Sequence, residues 1–263
     1  MIFFFSYLAL GACAGLLAGL LGVGGGLIIV PVLTFLFTAQ DLTPRFILHL
    51  ALGTSLASIM FTSVSSMRAH HDKGSVDWQI FRRITPGIVT GTLLGAWIAS
   101  HLSTRFLKGF FVVFLYYVAF KMLLNVKPKP ARQLPGKVGM FGIGSLIGGV
   151  SSLVGIGGGS MSVPFMVWCN VSMRNAIGTS AAIGFPIALA GTIGYLINGL
   201  SAANLPDSSL GFVYLPALFG ISLTSTLAAP LGARLAHILP VSGLSKSFAL
   251  LLIVFGTKIL TGL

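Results

Sequence analysis

Gly-Val-Gly-Gly-Gly-Leu-Ile-Ile-Val-Pro at 22–31 and Gly-Ile-Gly-Gly-Gly-Ser-Met-Ser-Val-Pro at 155–164 are one phrase written twice, 133 positions apart. Gly22, Gly24, Gly25, Gly26, Val30 and Pro31 recur as Gly155, Gly157, Gly158, Gly159, Val163 and Pro164. Each copy lies inside an apolar run, 2–38 and 138–169, of 37 and 32 residues. A straight helix of that size would be roughly 50 Å long, against about 30 Å of membrane hydrocarbon. Each run is therefore expected to break, and the glycines mark the place, because a residue without a Cβ reaches backbone angles closed to others. Pro31 and Pro164 predict a second, milder interruption downstream.

The rest of the chain reads as six further apolar segments, 46–66, 81–101, 105–124, 175–198, 211–231 and 243–262. Each is about the length of one membrane crossing. The repetition extends into them. Gly53-Thr54-Ser55 matches Gly178-Thr179-Ser180, Gly95-Ala96 matches Gly232-Ala233, and Lys121 falls on Lys258. The expected architecture is an all-α integral membrane protein of eight hydrophobic segments in two repeated halves, 1–125 and 138–263. The basic, Pro-rich stretch 126–137 joins them as an exposed linker.

Composition agrees. Of 263 residues, 55% are hydrophobic and only 8% charged, with mean hydropathy +0.98. A soluble domain carries about a quarter charged residues, and a disordered chain is polar and highly charged. The net charge of +12 does not indicate nucleic acid, because the basic residues sit in short connections between apolar runs. Cys13 and Cys169 fall inside apolar segments and are expected to be small buried hydrophobes, with neither disulfide nor metal spacing. The first residues lack the basic start of a signal peptide, so the first segment is expected to be retained.

Loop charges bear on topology. If segments 1 and 5 simply crossed the membrane, the two sides would hold ten and six Lys/Arg. If both are re-entrant hairpins, the sides hold twelve and four. The second arrangement satisfies the positive-inside rule better. It leaves three crossings per half, an odd number that inverts one half relative to the other. It also places both termini outside and the linker in the cytoplasm.

The candidate site follows from the breaks. The phrases lack the Lys-Ser/Thr of a phosphate loop and are embedded in apolar helix, which excludes nucleotide binding. A helix break at depth exposes backbone N–H groups at a half-helix N-terminus, which carries partial positive charge suited to an anion. Irregular backbone at that depth must be buried in protein or line a cavity. Gly24, Gly25, Gly26, Gly157, Gly158, Gly159 and Ser160 are thus candidate anion contacts; the competing reading is that the glycines merely permit a tight hairpin. Thr54, Ser55, Thr179 and Ser180 offer uncharged donors, although membrane hydroxyls often bond back to their own turn. His49 aligns with Arg174 in the repeat. The histidine is a candidate for adjustable charge, and the arginine for fixed charge or a membrane-side anchor. His70, His71, His101 and His237 read as interface or loop residues. Gly11, Gly15 and Gly19, and Gly87, Gly91 and Gly95, form small-residue ladders suited to close helix packing. The only acids, Asp41, Asp72, Asp77 and Asp207, lie in predicted loops, and there is no Glu. That argues against a carboxylate cation site or proton relay and for an anionic substrate.

The duplicated Gly-Gly-Gly phrase ending in Val-Pro, followed by Gly-Thr-Ser, resembles the TauE/SafE sulfite exporter family, also called the toluene-sulfonate uptake permeases. The resemblance covers nearly the whole chain. It implies a bacterial inner-membrane carrier of two repeated halves that moves sulfite, sulfonates or related sulfur and carboxylate anions. The expectation is an alternating-access secondary transporter, a probable exporter in that family's sense, with no catalytic residue, cofactor or metal. A coupling proton or counter-ion is left open, as is oligomeric state. The alternatives are a passive anion channel or a carrier of another small carboxylate or oxyanion. An intramembrane enzyme has no Ser-His-Asp set, metal cluster or paired acids to stand on.

Overall fold

The computed structural model describes residues 2–21, 25–124, 131–235 and 241–261. They form ten helices and one short β-hairpin. The first half holds α1 (Ile2–Leu21), α2 (Gly26–Ala39), α3 (Ile47–His71), α4 (Trp78–His101) and α5 (Thr104–Leu123). The second holds α6 (Lys137–Val154), α7 (Gly159–Trp168), α8 (Met173–Gly199), α9 (Leu215–Leu235) and α10 (Val241–Thr261), with β1 (Ser209–Leu210) and β2 (Val213–Tyr214) before α9. Among the described residues six helices, α1, α3, α5, α6, α8 and α9, are long and apolar enough to cross a membrane. α4 and α10 complete the eight-segment pattern by position but fall outside that set.

Both glycine phrases break their segments. In the second half Gly155 caps α6 at φ +69° and Gly158 precedes α7 at φ +78°, both left-handed conformations that favour glycine. In the first half Gly25 precedes α2 at an ordinary φ of −63°. Gly22 and Gly24 lie outside the described residues. The expected second interruption does not occur. α2 continues through Pro31 and α7 through Pro164. Surrounding packing compensates a carbonyl freed by proline inside a membrane helix, and Pro31 is buried against its neighbours.

Each broken segment folds back on itself. Gln40, just after α2, donates from Nε2 to the Tyr7 hydroxyl near the start of α1. Just before α6, the N–H groups of Ala131 and Arg132 donate to the Trp168 carbonyl at the end of α7, at 3.1 and 3.3 Å. The Arg132 guanidinium also lies over the Trp168 ring, 4.9 Å from its centre. The chain thus returns toward the side it entered in each pair, and α1–α2 and α6–α7 are helical hairpins.

The two halves interleave. α1 runs along α9, α6 along α4, α3 crosses α8 at the centre, and α5 packs on α10. The glycine ladders make the first two contacts possible. A Cβ on Gly11, Gly15 or Gly19 would collide with backbone of α9, at Ile221, Ser225 and Ala229. One on Gly87 or Gly91 would collide with the Phe141 or Ser145 carbonyl of α6, and one on Gly95 with the Ser152 hydroxyl. Such backbone approach is how helices associate where lipid supplies no hydrophobic drive. Local signals start the helices. Asp77 caps α4 by accepting from the Gln79 and Ile80 N–H groups at 2.9 and 3.0 Å, and Ser172 caps α8.

Polarity is distributed for a bilayer. Large apolar side chains such as Leu94, Trp97, Val113, Phe120, Phe219 and Leu227 face outward, while central α3 buries Thr54, Ser55, Ser58, Thr62, Ser63 and Ser66. Two expectations are corrected. Cys13 is exposed on α1, and only Cys169 is buried; α1 turns its glycine ladder, not the neighbouring cysteine, toward α9. His70 belongs to no loop. It is buried within α3, whose last turn extends beyond the apolar run. His71 and His101 lie exposed at helix ends, and His237 is outside the described residues.

Candidate functional site

The hairpin tips meet. Gly26, the first residue of α2, lies against the Gly155 carbonyl and Ile156, so closely that a Cβ would clash with both. Ser55 of α3 donates to the same Gly155 carbonyl at 2.8 Å. One left-handed turn thus touches the opposite hairpin and the central helix at once. Beside this contact is a cavity of about 20 Å³, room for about one water molecule. Gly25 and Gly157 line it from the two tips, Ser180 from α8, and Thr62, Ser63 and Ser66 from α3. No carboxylate is among its lining residues.

The hydroxyls there are unequally occupied. Thr62 bonds to the Ser58 carbonyl at 3.1 Å and to the Ser225 hydroxyl at 2.6 Å. Ser63 bonds back to the Met60 carbonyl at 3.0 Å. Ser180 accepts from the Ser162 hydroxyl at 2.8 Å. The Ser66 hydroxyl, on a residue only 3% exposed, has no partner among the described residues. A buried polar atom without a partner costs about 1–3 kcal/mol, so its location marks a place where a ligand oxygen or water is favoured. The Ser160 hydroxyl, in the first turn of α7, is likewise buried and unpartnered.

The other sequence-derived candidates do different jobs. Thr54 accepts from the Tyr214 N–H at 2.9 Å, and Thr179 accepts from the Asp77 N–H at 2.8 Å. These are repeat counterparts of one another, Thr54 with Thr179 and Asp77 with Tyr214. Both threonines are wholly buried and hold the strand or loop that precedes α4 or α9. Gly53 and Gly178 give those loops room, at Phe212 and Ser75. The threonines thus act on backbone, and their serine neighbours face the hairpin tips. Gly158 and Gly159 shape the turn into α7; Gly24 lies outside the described residues.

His49 and Arg174 stand away from the tips. His49 Nε2 lies 3.1 Å from the Ala99 carbonyl, and its ring packs between Phe46 and Phe212. Arg174 donates to the Ser75 hydroxyl at 3.1 Å and the Lys73 carbonyl at 2.9 Å, tying down the loop between α3 and α4. Sequence reasoning missed Thr62, Ser63 and Ser66. Their signal was present, since Ser55, Thr62 and Ser66 recur at helical spacing along an otherwise apolar run.

Known proteins resemble this chain over nearly its whole length. The family model for the sulfite exporter TauE/SafE matches residues 7–259. The chain belongs to the TauE/SafE family. A "probable membrane transporter protein" of Haemophilus influenzae is 38% identical, with 94% of each chain covered. The Bacillus subtilis "probable membrane transporter protein YunE" is 30% identical over 72% of this chain and 77% of its own. An archaeal relative, the "probable membrane transporter protein MJ0441" of Methanocaldococcus jannaschii, is 26% identical over 86% of this chain and 83% of its own. No solved structure matches. As a TauE/SafE protein with six candidate spans, the chain is a multi-pass membrane protein of a transporter family.

Proposed function

We propose that this TauE/SafE protein is a secondary transporter of a small sulfur oxyanion, sulfite or an organosulfonate, bound where the two hairpin tips meet. The observation that carries the reading is the Ser66 hydroxyl, buried and unpartnered at a cavity between Gly25 and Gly157. Around it stand hydroxyls and the N-terminal turns of α2 and α7, whose free N–H groups favour negative charge. Neutral donors hold an oxyanion without the tight grip of a fixed ion pair, which suits a substrate that must also leave. Ser55, Ser63, Ser66, Ser160 and Ser180 with the glycine turns form the binding set; Thr54 and Thr179 position it.

A cavity of about 20 Å³ is too small for a multi-atom oxyanion. Binding therefore requires the tips to part, and a closed centre favours a carrier over an open pore. Alternating access would rock the hairpin tips against α3 and α8, in two halves, 1–125 and 138–263, of opposite orientation. The family points to a bacterial inner membrane, the loop charges to a cytoplasmic linker. A proton or counter-ion is the natural coupling partner. The test is flux of labelled sulfite into proteoliposomes by wild type and Ser66→Ala. Saturable flux that falls on the order of tenfold in the folded variant supports the reading, this being the worth of about one hydrogen bond to a charged group. Unchanged flux removes Ser66 from the site.

A further inference from the structure

A second, much larger cavity, about 800 Å³, opens along the other side of α3. Phe61, Val64 and Arg68 line it, whereas Thr62, Ser63 and Ser66 face the tip cavity; at 3.6 residues per turn these are opposite faces of the helix. The large cavity is a groove between α3, α8 and α9.

Its walls change along their length. Met60, Val64 and Phe185 make one end apolar, and Arg68, Lys73 and Arg234 make the other cationic. Among the described residues none of these three side chains has a hydrogen bond or ion pair; the Lys73 contact to Arg174 uses its carbonyl. Asp72 faces the same end and leaves the cations in excess. From Met60 to His71 α3 rises about 16 Å, roughly one leaflet of hydrocarbon. The repeat counterparts of Arg68 and Arg234 are Ile193 and Trp97. The charge is therefore a property of this groove alone and not of the duplicated fold.

We infer that the groove holds one anionic phospholipid, its phosphate against Arg68 and Arg234 and an acyl chain along Met60, Val64 and Phe185. The loop charges put this end on the cytoplasmic side, where the leaflet carries anionic lipid. A small inorganic anion would use the cations and leave the apolar length empty. A zwitterionic lipid would bring its own cation against the arginines. The inference is independent of what the tip cavity carries.

The test is native mass spectrometry of purified protein offered equal phosphatidylglycerol and phosphatidylcholine. Wild type should retain one phosphatidylglycerol in preference to phosphatidylcholine. Arg68→Gln and Arg234→Gln should each weaken that retention about fivefold, the typical effect of one basic residue at an anionic surface. Val64→Trp, which fills the chain-binding end and leaves the cations, should weaken it as well. Circular dichroism and a monodisperse elution profile establish that each variant is folded. The inference is overturned if the arginine variants keep the wild-type preference. It is equally overturned if methanesulfonate displaces the lipid while Val64→Trp retains it, which would mark a site for soluble anions.

Discussion

Ser66 and Thr179 show how similar hydroxyls on central helices are put to different uses. Thr179 receives the Asp77 N–H and, with Thr54 under Tyr214, fixes the entrance to a following helix. Thr179→Val or Thr54→Val leaves a part-buried N–H unpaired against an apolar side chain. Each should cost about 1–3 kcal/mol of stability, read as a lower unfolding midpoint in detergent. Ser66 has no partner to lose. Ser66→Ala should therefore leave the midpoint unchanged or raise it slightly while transport falls, a separation that a purely structural serine would not produce. His49 illustrates why residue roles were only half legible. The repeat places it opposite Arg174, but an alignment carries no information on which way a side chain points. His49 is enclosed by Phe46 and Phe212, and Arg174 turns to a loop.

At the scale of elements, the breaks were legible because they follow from length. A run of 37 residues does not fit a bilayer as one helix, and glycine marks where it yields. The prolines misled because a proline's effect depends on the packing around it, and both helices continue through theirs. The partner of each glycine ladder was illegible, since α1 meets α9 and α4 meets α6 across more than a hundred residues. The contrast between ladder and non-ladder glycines is itself testable. Gly91→Leu would drive a side chain into the Ser145 backbone, whereas a Cβ on Gly142 meets nothing within 4 Å. Gly91→Leu should cost about 2 kcal/mol or more, and Gly142→Leu should be neutral, both measured by thermal unfolding.

At the scale of the molecule, the contacts sort the helix ends into two groups. The loop between α3 and α4 lies with the start of α8 through Arg174, and the segment before α6 lies with the end of α7 through Ala131 and Trp168. The segment after α2, the start of α5 and the loop after α8 lie together through Thr104 with Arg45 and Thr43 with Asn204. In a variant with both native cysteines replaced, Phe3→Cys and Asp41→Cys should be labelled from one side of the membrane, and Lys73→Cys and Ala131→Cys from the other. Labelling of Phe3→Cys and Asp41→Cys from opposite sides would mean that the α1–α2 segment crosses. The hairpins matter to function only if substrate sits where they touch. The most direct measurement is sulfite counterflow in proteoliposomes, comparing wild type with Ser66→Ala combined with Ser180→Ala. Wild type should show saturable uptake accelerated by sulfite on the far side, and the folded double variant should lose most of it. Equal counterflow by the two proteins would place the substrate elsewhere and contradict a site between the tips.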